Sequence, residues 1–196
     1  RNLIKPTSEI QVFTALNACR LCIKGKVHLY YISLINAPLT FGFFKPYILL
    51  PLCIVNNINI QEAESIILHE LTHIKSRDYL YNSLMIATDI VYFFNPFIKI
   101  IAAKIKSERE KNCDVQVINF NYDPLQYAET LLKIARLSSG IKEFQIAAVH
   151  RKPELLQRIL FFSAKKNMAF NKCCRSTIGL FCIAFVIAAI ALVLTA

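Results

Sequence analysis

The run Leu68-His69-Glu70-Leu71-Thr72-His73 sets two imidazoles four residues apart, with a carboxylate directly after the first. On a helix, side chains at that spacing share a face with Cβ atoms about 5–6 Å apart, so both rings can aim a nitrogen at one metal ion. Glu70 sits beside the first ligand, placed to take a proton from an attacking water without itself binding the metal. The flanking residues Ile66, Ile67, Leu68, Leu71 and Ile74 are apolar, so this helix is expected to be buried. A buried His or Glu then needs a partner, which incidental surface histidines would not. The chemistry expected is hydrolysis at a Zn2+ ion, with His69 and His73 as ligands and Glu70 as general base.

A catalytic zinc usually takes three protein ligands, so one more must come from elsewhere in the chain. Ser107-Glu108-Arg109-Glu110-Lys111-Asn112-Cys113-Asp114 offers two carboxylates, Glu108 and Glu110. Residues 79–94 read as a mostly apolar helix, Asn95-Pro96 as a turn, and residues from 97 past 114 as a second helix. The first leg is about 24 Å long and the return leg to Glu110 about 21 Å, so a helical hairpin brings that carboxylate back level with the histidines. A single spanning helix over 79–101 would strand Glu110 on the far side of a membrane. The central proline and Asp89 within the apolar stretch both oppose it.

Other elements must position this centre. Residues 7–24 read as a helix, with Thr7 or Ser8 available as cap. Residues 27–32 and 47–50 are short, β-rich and bounded by turn residues, so they read as strands with a loop over 37–42 between them. The histidine helix starts near residue 60, where Asn59 and Glu62 have capping-box spacing, and runs to about Arg77. Further helices are expected over 125–137 and 153–168. The strand at 47–50 is the expected place for an extended substrate to add, as zincins hold substrates along a sheet edge.

The last 20 residues, 177–196, carry no charge and would span about 30 Å as a helix, the thickness of a bilayer's hydrocarbon core. They are read as a transmembrane helix following a metallopeptidase domain over 1–176. Mean hydropathy is +0.43, above that of ordinary soluble domains. Both ends look cut from a longer, multi-pass protein. The net charge is +10, and residues 99–175 hold 15 Lys or Arg against 7 Asp or Glu. Lys165, Lys166, Lys172 and Arg175 precede the apolar tail, which puts this side toward the cytoplasm and against anionic headgroups. Basic residues interleaved with stacking aromatics are missing, so nucleic acid is not an expected partner. Seven cysteines, an odd number with one in the apolar tail, argue against a secreted disulfide framework. Cys19 and Cys22 form a lone C-x-x-C without a second pair.

HELTHIKSRDYL, then FFNP, then E-K-N-C-D, together with FGFFKPYILLP upstream, resemble the BlaR/MecR-type membrane metallopeptidases, antirepressor proteases of bacterial signal transduction. The resemblance covers residues 36–118 and is far more specific than the shared HExxH. It implies a mostly helical α+β, zincin-like domain of gluzincin type, with short strands, a helical hairpin and the C-terminal transmembrane helix. It selects Glu110 over Glu108 as third ligand, because Glu110 stands four before Asp114. Asp114 would then accept a hydrogen bond from a ligand histidine and fix its tautomer. Asp78 either does the same or simply helps end the helix. His150 and Arg158 faintly resemble the late His and Arg of related membrane gluzincins, which makes them candidate oxyanion donors, although the plainer view of a loop histidine and an ordinary helix cation is the stronger one.

The function implied is a membrane-embedded endopeptidase at the bacterial cell membrane, its site facing the cytoplasm, cleaving a transcriptional repressor or itself. The alternatives are a housekeeping membrane-protein protease and a non-catalytic signalling scaffold with a structural zinc. Expected partners are a protein or peptide substrate, the lipid bilayer and, as a homodimer, a second copy.

Overall fold

The computed structural model describes residues 3–143 together with 157 and 158. The chain divides into a unit Arg1–Ser163, which contains all of these, and a unit Ala164–Ala196. The expected helix at 153–168 (apart from helical Gln157 and Arg158), His150 and the apolar segment 177–196 lie outside the described residues. Among the described residues no helix is long and apolar enough to cross a membrane.

The architecture is mostly helical α+β. Helix α1 (Ser8–Arg20) leads into strands β1 (His28–Ile32), β2 (Leu39–Phe41) and β3 (Tyr47–Pro51), then a short α2 (Leu52–Val55). Helices α3 (Ile60–Ser76), α4 (Asp78–Val91), α5 (Pro96–Asn119) and α6 (Pro124–Glu143) follow. Helix α3 is the axle of the fold. Its capping box forms as the residue types require: Asn59 Oδ1 accepts from the Glu62 N–H at 2.7 Å, and Glu62 Oε2 accepts from the Asn59 N–H at 2.8 Å. Ile67, Leu68 and Leu71 are fully buried against Ile48 and Leu50 of β3, Ile54 of α2 and Val117 of α5. Each such side chain stabilises the fold by about 1.5–3 kcal/mol.

The sheet order is β1-β3-β2, with β1 parallel and β2 antiparallel to β3. Two expectations change here. Residues 37–42 are not all loop, because Leu39–Phe41 pairs with β3 as a third strand. The strand at 47–51 is therefore central, with both edges paired, and cannot accept a substrate strand. Among the described residues the open edge belongs to β2, while Ile4 bridges the outer side of β1 at Tyr31. Gly42 makes the β2–β3 turn possible. It has φ +102°, and a Cβ there would collide with the Lys45 carbonyl oxygen.

Two junctions aim the site. At Arg77 the chain takes a left-handed conformation (φ 54°), which ends α3 and starts α4 one residue later. At the far end of α4, Asn95 caps α5 by accepting from the Phe97 N–H at 3.0 Å, and Pro96 takes the first helical position, where no N–H is needed. The expected hairpin is thus present, and α5 returns alongside α3.

Candidate metal centre

His69 and His73 lie one turn apart on α3, and their Nε2 atoms face each other at 3.1 Å. Glu110 of α5 completes the convergence, with carboxylate oxygens 3.6 Å from His69 Nε2 and 3.8 Å from His73 Nε2. Glu108 does not join them. Two residues apart on a helix means about 200° of rotation, so Glu108 points away, where it pairs with Lys104 at 3.2 Å and Lys111 at 3.0 Å.

The opposite nitrogens of both rings are anchored. His69 Nδ1 is 2.9 Å from the Tyr127 hydroxyl and 3.2 Å from Asp114 Oδ1, and that hydroxyl donates to the same oxygen at 2.9 Å. Arg158 grips Asp114 with a fork, Nε to Oδ2 and Nη2 to Oδ1, both at 2.6 Å. His73 Nδ1 is 2.5 Å from Asp78 Oδ2. Arg109 holds Asp78 in turn, with Nε 3.1 Å from Oδ1 and Nη2 donating to the Asp78 carbonyl at 3.2 Å. Asp78 does not end α3; it opens α4, and the left-handed turn at Arg77 swings its carboxylate back onto His73.

These partners test whether a metal suits the site. Carboxylates at both Nδ1 atoms place the ring protons there, so the two Nε2 atoms present lone pairs to each other and to an anionic Glu110. Such a contact is repulsive unless a proton or a metal cation lies between. Zinc at its usual 2.0–2.1 Å from each nitrogen would separate two tetrahedral ligands by about 3.3 Å, close to the spacing seen. The charge balance agrees. Burial disfavours the protonated form of His69, yet hydrogen bonds to Asp114 and Glu110 outweigh it and push the pKa up to about 9. Burial favours neutral Glu110, yet the hydrogen bond from His69 and the neighbouring positive charges hold it down to about 2. The carboxylates favour positive charge at the imidazoles, which a proton or a divalent cation would supply.

His73, Asp78 and Cys113 form a second cluster of metal-ligating types, with Cys113 Sγ 3.4 Å from His73 Nδ1. That nitrogen is committed to Asp78. Burial, reinforced by the surrounding carboxylates, pushes the Cys113 thiol far above its ordinary range, so it is a neutral packing neighbour.

Glu70 is buried beside this centre, and the Thr40 hydroxyl of β2 donates to its Oε2. This hydrogen bond ties β2 to Glu70, the expected general base. Thr40, Tyr127, Arg109 and Cys113 carry no role in the sequence reading. Thr40 and Tyr127 lie 30 and 58 residues from their partners, and no local pattern marks them. Arg109 and Cys113 sit inside the E-R-E-K-N-C-D stretch, where helical rotation turns Arg109 toward α4 and Cys113 toward His73 of α3.

The sequence profile of the family BlaR1 peptidase M56 matches residues 4–162. The chain belongs to this family. Among its M56 relatives, a Regulatory protein BlaR1 from Bacillus licheniformis is 35% identical over 148 residues, 71% of this chain and 24% of that protein. A Methicillin resistance mecR1 protein from Staphylococcus aureus is 36% identical over 118 residues, 59% of this chain and 20% of the relative. The chain therefore spans about a fifth to a quarter of the length of the curated relatives it matches. The M56 family match makes it a peptidase-family chain, and its described residues include a group suited to a metal ion.

Proposed function

We propose that this chain is the zinc-dependent endopeptidase part of a regulatory protein of the bacterial cell membrane, hydrolysing a transcriptional repressor or itself on the cytoplasmic side. The observation that carries the reading is the convergence of two imidazole lone pairs and Glu110, with both far nitrogens anchored to carboxylates. When bound, zinc would supply Lewis acidity toward the scissile carbonyl and the attacking water.

The chain's own residues do the rest. Glu70 takes the proton from the attacking water and returns it to the leaving amine. The Thr40 hydroxyl occupies Oε2 of Glu70 and so leaves Oε1 as the proton acceptor. The open edge of β2 can pair with an extended substrate, main chain to main chain, bringing its scissile bond past Thr40 to Glu70. We assign Arg158 to holding Asp114 rather than to the oxyanion, because Nε and Nη2 are engaged there and Nη1 lies 3.4 Å from Glu110 Oε2. The apolar segment 177–196 would anchor the domain as a spanning helix of a multi-pass protein, with the basic residues before it on the cytoplasmic face.

A scaffold with a structural zinc would need a fourth protein ligand. Asp114, the nearest further carboxylate on α5, addresses the Nδ1 side of His69, away from the converging Nε2 atoms, which favours an open position. A housekeeping protease would share every site residue, and substrate identification separates it. The regulatory reading draws on the similarity to the Regulatory protein BlaR1 of Bacillus licheniformis. The test is Glu70→Gln. Proteolysis should fall by about 10²–10⁴-fold with zinc content unchanged, and full activity in that variant would sink the mechanism.

A further inference from the structure

The α4–α5 hairpin is built unlike the rest of the described unit. Asp78 is the single buried residue of α4, although most of the helix is apolar. Toward the tip the large apolar side chains stand in the open: Ile90 69%, Val91 62%, Phe93 72%, Phe94 69%, Phe97 69% and Ile100 66% exposed. Ile90 and Val91 are neighbours on α4, about 100° apart, Phe93 and Phe94 lie between the two helices, and Phe97 and Ile100 share a face of α5, so no single helix stripe holds them all. A single flat protein surface would cover one side of such a tip and leave the others in water, whereas lipid solvates the whole circumference. Phe93 and Phe94 meet edge to face at 5.6 Å, so the tip presents a compact aromatic wedge.

The charges near the tip set a depth. Asp89 and Lys99, both exposed, stand about one helical turn back from the turn residues. Beyond Asp89, the exposed charges of the hairpin as far as residue 107 are Lys99, Lys104 and Lys106, an excess that suits anionic headgroups; Lys104 also reaches Glu108 at 3.2 Å. At about 21 Å, α4 is too short to cross a hydrocarbon core of about 30 Å.

We propose that the hairpin tip, residues 90–100, is a monotopic wedge that enters one leaflet of an anionic bilayer, stopping where Asp89 and Lys99 reach the headgroups. This rests on the membrane reading above and adds a second, shallow contact to it. The wedge fixes the helix that carries Glu110 relative to the lipid surface, so the site works at a set distance from the membrane.

The chain contains no tryptophan, so one introduced indole reports cleanly. The full chain carrying Phe94→Trp would be reconstituted into liposomes of phosphatidylcholine and phosphatidylglycerol, some brominated near the headgroup end of the acyl chains and some near the terminal methyl. Gln61→Trp, at the exposed start of α3, is the comparison. The wedge predicts that the indole of Phe94→Trp loses most of its emission to the shallow bromines, less to the deep ones, and little to aqueous iodide. The indole of Gln61→Trp should instead be quenched by iodide and spared by both bromines. Iodide quenching of the Phe94→Trp indole in chains that float with the liposomes would overturn the wedge and leave the membrane reading standing. Chains that fail to float would remove the membrane reading itself. A Phe94→Trp indole shielded from both quenchers would mean that protein covers the tip, a second copy or this chain's own segment, and would equally overturn the proposal.

Discussion

The two imidazoles of the candidate metal centre are steadied by carboxylate–arginine pairs in unlike surroundings. His69 leans on Asp114, a carboxylate with no exposed surface, which Tyr127 and Arg158 share from 13 and 44 residues away. His73 leans on Asp78, five residues on, which Arg109 holds at the rim with 19% of its side chain exposed. The first arrangement exists only when α3, α5, α6 and the segment carrying Arg158 have all assembled. The second is set mainly by the left-handed turn at Arg77, and α5 merely secures it. Breaking the inner clamp should therefore damage fold and metal affinity together, and breaking the outer one chiefly metal affinity.

Asp114→Asn is the harshest test of that contrast. It leaves Arg158 with a neutral partner in place of its fork carboxylate and only Glu110, 3.4 Å from Nη1, as a counter-charge, so we expect a loss of about 2–3 kcal/mol in a denaturant titration. Zinc affinity should fall by about 100-fold in a chelator competition, the upper end for a carboxylate behind a ligand histidine. Asp78→Asn should cost about 10-fold in zinc affinity by the same competition, with a smaller change in stability. Arg109 keeps its bond to Asn82 Oδ1 at 2.9 Å and its place over the Tyr81 ring. Equal stability losses for the two variants would erase the distinction between inner and outer clamps.

Tyr127→Phe removes one hydroxyl from the inner clamp and leaves Asp114 3.2 Å from His69 Nδ1. A stability loss of about 1–2 kcal/mol is expected, with zinc retained at saturating metal. Arg109→Lys is the mildest. It keeps the charge but loses the fork, and should cost about 1 kcal/mol or less at its partly exposed site, read from the shift in denaturation midpoint.

The same contrast explains what can be read from the sequence. The α3 helix is legible because its cap, its apolar face and its HExxH pattern all lie within 17 residues and the one before them. The hairpin is legible because Asn95-Pro96 punctuates two runs of matched length. Strand β2 is not, since Leu39-Thr40-Phe41 is too short to show an alternation and only pairing with β3 makes it a strand. Missing it also shifts the expected substrate edge onto β3, which proves to be central. Asp78 stays between two roles on sequence grounds because spacing does not reveal the left-handed residue at Arg77. Tyr127 is invisible, since a lone tyrosine in an amphipathic helix looks like any core aromatic until its hydroxyl is seen between His69 and Asp114.

The proposed chemistry depends on one metal held by His69, His73 and Glu110, and by no residue on the far side of α5. Zinc content per chain, measured by mass spectrometry after dialysis for the wild type, Glu108→Ala and Glu110→Ala side by side, decides the matter. We expect one zinc per chain in the wild type and in Glu108→Ala, and loss of it in Glu110→Ala. Full zinc in Glu110→Ala, or its loss in Glu108→Ala, would refute the ligand assignment.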